Sequence, residues 1–151
     1  MRYINFFLLA LLSTSSHALA TKWDSCFEDA SKKVGVDVRI LKAIALQESS
    51  MNPRVINTSN SDGTEDVGLM QINSIHFPLL ETAGVSRRDL FNACVNIHVG
   101  ALILMDCIRI HGNTWKAVGA YNVGHRKGVK FDRLRKSYAT KIWYRYHQVN
   151  G

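Results

Sequence analysis

The sequence lacks most features that would place it outside the ordinary globular proteins. It has no internal repeat, low-complexity segment or linker, which excludes a repeat array or a string of domains. Charged residues make up only 21% and hydrophobic residues 46% of the chain, a balance that excludes a disordered protein. Three cysteines are too few for a disulfide-dense scaffold, and their spacing does not match a zinc site. We therefore expect one domain with one hydrophobic core.

Long apolar runs are also missing, apart from a short one near the N-terminus. Residues 6–12 follow Arg2 and are too few to span a bilayer. Ala18-Leu19-Ala20 has the form of a cleavage site, so we predict a secretory signal over residues 1–20 and a mature domain over residues 21–151. An uncleaved anchor or a buried helix is the alternative. Since no later segment has the length and apolarity to span, we expect an exported mature chain without a transmembrane segment.

Acidic residues are scarce relative to basic ones, with twelve Asp and Glu against nineteen Lys and Arg. The densest basic run comprises Arg126, Lys127, Lys130, Arg133, Arg135 and Lys136. This run has three interpretations: a solvated helix face, a surface for an anionic cell-wall polymer, or a surface for nucleic acid. Export and the lack of a nucleic-acid motif argue against nucleic acid, and the solvated face is the simplest interpretation.

The three cysteines, Cys26, Cys94 and Cys107, allow one intramolecular disulfide and leave one thiol. Cys94 and Cys107 lie along one predicted helix, about 20 Å apart at 1.5 Å per residue, which is too far to bridge. Any intramolecular pair therefore includes Cys26. Because Cys107 shares an apolar helix face, we expect it to be buried and free, and we predict the disulfide Cys26–Cys94.

Apolar periodicity predicts a mainly α domain of six helices. They cover residues 23–34, 37–48, a short segment from 86, 95–111, 114–121 and 134–149. Residues 57–67 are rich in Asn, Ser, Asp and Gly and have no period. We expect a long loop or a small β-hairpin there, turning at Asp62-Gly63. An irregular segment in a compact helical protein usually carries function.

Glu48 is a carboxylate at a position where an apolar side chain is expected. Its helix has Asp37 as the N-cap, and the apolar stripe of Leu41, Ile44 and Ala45 continues to position 48. Burial and the negative end of the helix dipole should both raise the pKa of this carboxyl group. A carboxylic acid that keeps its proton near neutral pH can serve as a general acid. A solvated glutamate at a helix end is the ordinary alternative.

Asp66 lies at the far end of the irregular segment. Two carboxyl groups across a cleft are the minimal apparatus for cleaving a glycoside, with Glu48 as the acid and Asp66 as nucleophile, base or electrostatic partner. Gly68 would let substrate approach the backbone closely. Gln71 and Asn73 carry uncharged donors and acceptors suited to sugar hydroxyls and acetamides. Considered alone, Asp66 would be interpreted as a turn former.

Three motifs occur in a fixed order: Gln47-Glu48-Ser49, Gly68-Leu-Met-Gln-Ile-Asn73 and Ala117-Val-Gly-Ala-Tyr-Asn-Val-Gly124. Together they resemble the soluble lytic transglycosylase family, and the resemblance covers residues 23–146. It implies a lysozyme-like α+β fold. The chain looks most similar to small members exported to the periplasm that accompany type III secretion, conjugation or type IV pilus systems. The cysteine pattern of that subgroup also fits Cys26–Cys94.

The resemblance also implies a substrate and a reaction. Such enzymes cut the β-1,4 bond between N-acetylmuramic acid and N-acetylglucosamine in peptidoglycan, leave a 1,6-anhydromuramyl end, and need no cofactor or metal. Glu48 matches the catalytic acid, which then acts as base. Gln71, Tyr121 and Asn122 match positions that line the cleft, and Tyr138 matches a tyrosine near the site. Core packing is the alternative interpretation of both tyrosines.

The sequence departs from the family pattern at two places. Val123 stands where alanine is usual, a change that would narrow the cleft. Residues 60–68 are longer than the usual family loop and resemble c-type lysozymes, which place their second catalytic carboxylate at the position of Asp66. Three hypotheses follow: a lytic transglycosylase that opens the wall for a secretion or pilus machine, a hydrolytic muramidase that uses Glu48 and Asp66, and a non-catalytic wall-binding adaptor.

Overall fold

The computed structural model describes residues 22–149, so the predicted signal and its cleavage after Ala20 lie outside the described residues. Within this range the helices are α1 Asp24–Val34, α2 Val38–Ser49, α3 Phe77–Thr82, α4 Ala93–His111, α5 Trp115–Val123 and α6 Val129–Gln148. Three two-residue strands, β1 Ile56–Asn57, β2 Asp66–Val67 and β3 Ile72–Asn73, form an antiparallel sheet in the order β1-β2-β3. The predicted mainly α fold with a small hairpin after the second helix is confirmed.

Helix α2 begins and ends as its sequence predicts. The Asp37 side chain accepts a hydrogen bond of 2.9 Å from the backbone N–H of Arg39, which caps the first turn. Ser50 ends the helix in the left-handed conformation, with φ of 53°. Leu41, Ile44 and Ala45 are fully buried. Glu48 therefore stands in the last turn of a helix whose apolar stripe faces the core.

Two short elements differ from the prediction. The helix predicted from Ser86 is a single 3₁₀ turn, Asp89–Phe91, because the Ser86 N–H and hydroxyl both donate to the Asp89 carboxylate and close the turn on itself. Helix α3 was not predicted, since its six residues are too few to show a period. It has a proline in its first turn and a largely exposed Leu79.

The core forms where α4 and α6 pack against the other helices. Helix α4 contacts α1 and α5, and α6 contacts α2 and α5. Large side chains that are fully buried there include Phe27, Leu41, Ile44, Ile97, Leu104 and Ile142. The predicted disulfide joins Cys26 on α1 to Cys94 on α4, with Cα atoms 5.2 Å apart. Cys107 is free and buried, and burial raises the pKa of its thiol to about 11.

Helix α4 corrects one expectation about the mature chain. Among the described residues it alone has the length and apolarity to cross a bilayer, whereas no such segment was expected. Length and composition are weak evidence, because the core helix of a globular domain meets the same criteria. In this fold α4 packs between α1 and α5 and buries a polar residue, Asn96.

The buried Asn96 joins α4 to the sheet segment. Its Oδ1 accepts from the Met70 N–H at 2.7 Å, and its Nδ2 donates to the carbonyls of Val67 and Leu90 at 2.9 Å. Gly68 has a φ of 83°, and a Cβ atom there would lie 2.2 Å from Asn96 Nδ2. The contact with Asn96 therefore requires glycine at position 68, and a close approach of substrate there stays a prediction. This contact fixes the chain between β2 and β3.

Replacing Asn96 with leucine should lower the free energy of unfolding by about 3 kcal/mol or more, because three buried backbone groups lose their partner. Denaturant unfolding measures the loss. The exposed Asn113→Leu is the matched control, with an expected change within about 0.5 kcal/mol. Equal stability of the two variants would contradict this role of Asn96.

Candidate active site

Glu48 is on α2, and its carboxyl group faces Tyr138 on α6. The hydroxyl of Tyr138 donates a hydrogen bond to Glu48 Oε1, and Tyr138 is buried. The pKa of Glu48 is raised from 4.5 to about 7, and burial is the largest cause. The negative charge of Asp66 contributes to this increase, while the Tyr138 hydrogen bond and the charge of Lys141 oppose it. A carboxyl group with a pKa near 7 can both give and take a proton at neutral pH.

Asp66 is held by a set of side-chain amides. In the sheet it lies directly opposite Asn57 on β1 and Asn73 on β3. Oδ2 accepts from Asn57 at 3.0 Å and from Asn60 at 2.9 Å, and Oδ1 accepts from Asn73 at 2.7 Å. The carboxylate is therefore fixed by three neutral donors. The effect of its charge on the pKa of Glu48 shows that the sheet brings the two carboxyl groups within electrostatic reach.

Asn73 was predicted to bind sugar, and its side chain is engaged within the hairpin. Its Nδ2 donates to Thr64 Oγ1 as well as to Asp66, and its Oδ1 accepts from the Ile75 N–H at 3.0 Å. These contacts orient Asp66. A direct contact between Asn73 and substrate stays a prediction.

The second and third motifs meet at Met70. The hydroxyl of Tyr121 donates to the Met70 carbonyl at 2.8 Å, and burial raises the pKa of this phenol well above 10. Gln71 follows with a φ of 50°, and its amide nitrogen donates to the carbonyls of Val55 and Gly68. Asn122 is exposed beside Tyr121. Substrate contacts by Gln71, Tyr121 and Asn122 stay predictions.

Two kinds of residue at this site were not identified from the sequence. Asn57 and Asn60, which donate to Asp66, were interpreted only as loop formers, because an amide that holds a carboxylate cannot be distinguished by composition from one that favours a turn. Ser49 joins the first motif to the second, since its buried hydroxyl donates to the Leu69 carbonyl at 2.6 Å. Its position directly after Glu48 was the available signal. Within residues 22–149, no group of three or more His, Cys, Asp or Glu side chains is placed to hold a metal ion.

Replacing Tyr138 with phenylalanine should raise the pKa of Glu48, because the lost hydrogen bond favours the charged carboxylate. The alkaline limb of the pH–rate profile should then move to higher pH, while the rate below pH 6 changes by less than about 10-fold. Tyr144→Phe, on an exposed face of the same helix, is the matched control and should leave the profile unchanged. A shift to lower pH would contradict the assigned direction.

The mainly α fold with a small antiparallel sheet is lysozyme-like. Two carboxyl groups of different environment suit acid catalysis on a polysaccharide. The class is therefore that of the lysozyme-like enzymes. The family model of the transglycosylase SLT domain matches residues 25–144. The chain belongs to this family, and it is a peptidoglycan lytic transglycosylase.

Curated relatives are similar in sequence to this chain over most of its length. The invasion protein IagB of Salmonella typhimurium is 41% identical over 152 residues, covering 100% of this chain and 90% of that one. Protein IpgF of Shigella flexneri is 36% identical over 125 residues, covering 82% of this chain and 80% of that one. A solved structure of lytic transglycosylase Slt from Pseudomonas aeruginosa matches with a TM-score of 0.63 at 20% identity. That match covers 83% of this chain and 23% of the other, and confirms the fold.

Proposed function

We propose that this enzyme cleaves the β-1,4 bond between N-acetylmuramic acid and N-acetylglucosamine by intramolecular transfer, with Glu48 as acid and then base. The observation that carries the proposal is the half-buried Glu48 carboxyl group against the Tyr138 hydroxyl, where its pKa is raised to about 7. The Slt structure of Pseudomonas aeruginosa, described as an inactive mutant in which glutamine replaces glutamate, supports a catalytic glutamate in this fold.

The reaction needs no water. Glu48 gives its proton to the glycosidic oxygen, and the bond between that oxygen and the muramyl anomeric carbon breaks. The oxygen of the 6-hydroxyl group of the same sugar then forms a bond to the anomeric carbon. This hydroxyl group gives its own proton to Glu48. Asp66 stabilises the positive charge that develops on the sugar ring between these steps. The products are a free 4-hydroxyl group and a 1,6-anhydromuramyl end.

Peptidoglycan and an envelope machine are the partners that this proposal assigns. The enzyme acts in the periplasm and opens the wall locally for a type III secretion, conjugation or pilus system. The name of the invasion protein IagB and the disulfide between Cys26 and Cys94 support this context.

Mass analysis of digested peptidoglycan tests the chemistry. We expect anhydromuramyl ends, which are lighter by one water than the reducing ends that hydrolysis yields. A hydrolytic muramidase is the second candidate, and the anchoring of Asp66 by three amides favours it. Reducing ends as the main product would replace the first proposal with the second.

A further inference from the structure

A pocket of about 400 Å³ lies at the end of α4, beside the loop that joins α5 to α6. Cationic or imidazole side chains dominate its lining: His111, Lys116, His125, Arg126, Lys127 and Arg135. Asp132 is the one carboxylate among the described residues that line it. The pocket includes half of the basic run noted in the sequence. The proposed reaction assigns no role to that run.

The charges around this pocket are unbalanced. Asp132 Oδ1 lies 3.1 Å from Lys116 Nζ and 3.0 Å from Arg135 Nη2, so one carboxylate faces two cations. Arg126 and Lys127 add further positive charge to the lining. Desolvation lowers the pKa of His111, and the nearby His125, Arg135 and Lys116 lower it further. The pocket therefore has a positive potential that favours an anion.

Arg135 is a buried cation of the pocket lining. Only 3% of this residue is exposed. Its Nη1 and Nη2 donate to the carbonyls of Gly124 and Arg126 and so hold the loop. Its Nε is buried with no hydrogen-bond partner among the described residues. Arg135 is thus a fixed and buried positive charge in the wall of the pocket.

Arg126 is an exposed cation of the pocket lining that contacts α6. Arg126 stacks over the Phe131 ring, with 4.5 Å between the guanidinium carbon and the ring centroid. Hydrogen bonds from Thr64 have the largest effect on the pKa of Asp62 and lower it, and the charge of Arg126 contributes to the lowering. Arg126 and the hairpin turn at Asp62 are therefore within electrostatic reach of each other.

We propose that this pocket binds the carboxylates of the peptides attached to muramic acid, and so makes the enzyme prefer peptide-bearing strands over bare glycan. The inference rests on the proposed function for its substrate. The shared chemistry is an oxyanion, which a phospholipid headgroup also offers. Peptidoglycan is favoured because it is the polymer on which a peptidoglycan lytic transglycosylase acts.

The double variant Arg126→Gln/Lys127→Gln tests the proposal against a matched control, Lys130→Gln/Arg133→Gln. The control pair belongs to the same basic run, is exposed, removes the same charge and does not line the pocket. Binding is measured with the mature chain carrying Glu48→Gln, on purified glycan strands before and after enzymatic removal of the peptides. Vesicles that contain phosphatidylglycerol form a third arm.

We expect the pocket variant to lose about 5-fold in affinity for peptide-bearing strands, because two charge contacts disappear. Its affinity for bare strands should stay constant, and the control pair should change neither. Replacing Arg126 with lysine instead of glutamine should restore part of the lost affinity for peptide-bearing strands. Three results would overturn the proposal. They are an equal loss of affinity in the pocket variant and the control variant, no loss of affinity in the pocket variant, and a loss of affinity for the vesicles alone. Circular dichroism shows whether each variant is folded.

Failure of this inference is distinguishable from failure of the proposed function. Anhydromuramyl products from the wild type, without a preference for peptide-bearing strands, would overturn the pocket assignment alone. Preferential binding that depends on Arg126 and Lys127, without anhydromuramyl products, would overturn the reaction alone.

Discussion

Glu48→Gln should lower the turnover of peptidoglycan by at least about 10²- to 10⁴-fold, the usual contribution of a general acid–base group. The glutamine has the same shape and can still accept the hydrogen bond from Tyr138, but it cannot transfer a proton. Release of soluble fragments, followed by chromatography, measures the loss. A folded variant with turnover near that of the wild type would contradict the assignment and favour the non-catalytic adaptor.

The pH dependence of the thermal stability of Glu48→Gln serves as the control for this experiment. The pKa of Glu48 is about 7 in the fold against an ordinary value of 4.5. Stability from the protonated group is therefore fully present below pH 4.5 and is lost as the pH rises through 7. Since glutamine stays neutral, we expect Glu48→Gln to melt above the wild type at pH 8 and close to it at pH 4. Lower stability at pH 8 would indicate that the substitution damages the fold.

Asp66→Asn should lower turnover by about 10²-fold, because the site loses the negative charge that faces the developing positive charge on the sugar. The substitution should also lower the pKa of Glu48, since the charge of Asp66 raises it. The alkaline limb of the pH–rate profile should then move to lower pH, opposite to the shift expected for Tyr138→Phe. Steady-state rates between pH 5 and 9 measure both effects.

Asn60→Ala is the control for this substitution. It removes one amide donor to Asp66 and keeps the carboxylate, so it disturbs the hairpin without removing the charge. We expect a loss well below that of Asp66→Asn and no shift of the alkaline limb. If the two variants lose the same activity, Asp66 is a structural residue of the hairpin and its electrostatic role is wrong.

The sequence predicted the helices long enough to show a period. The stripe of α2 predicted Glu48 on a buried face, and the structure places it half-buried beside Tyr138 with a raised pKa. Its role as the acid stays a prediction. The apolar stretch of α4 was correctly predicted as a helix. Its composition also fits a membrane span, whereas its packing against α1 and α5 and the hydrogen bonds of the buried Asn96 are those of a core helix. Short elements were less predictable, since α3 has too few residues to form a pattern.

The candidate site was harder to predict than the fold, because its geometry depends on pairings distant in sequence. The amides of Asn57 and Asn60 reach Asp66 only when the strands are in register. The contact of Tyr138 with Glu48 joins residues on the second and last helices. No local pattern contains that pairing, and the resemblance to the family was the only signal for it.

The disulfide between Cys26 and Cys94 encloses a segment with both Glu48 and Asp66, as well as the whole sheet. Closing a loop with a sequence separation of 68 removes entropy from the unfolded chain equivalent to about 4 kcal/mol. A second consequence concerns proteolysis. If a protease cut the exposed turn at Asp62-Gly63, the two pieces would stay covalently joined, with Glu48 on one and Asp66 on the other. A nicked molecule would thus keep the acid and its partner within one covalent unit.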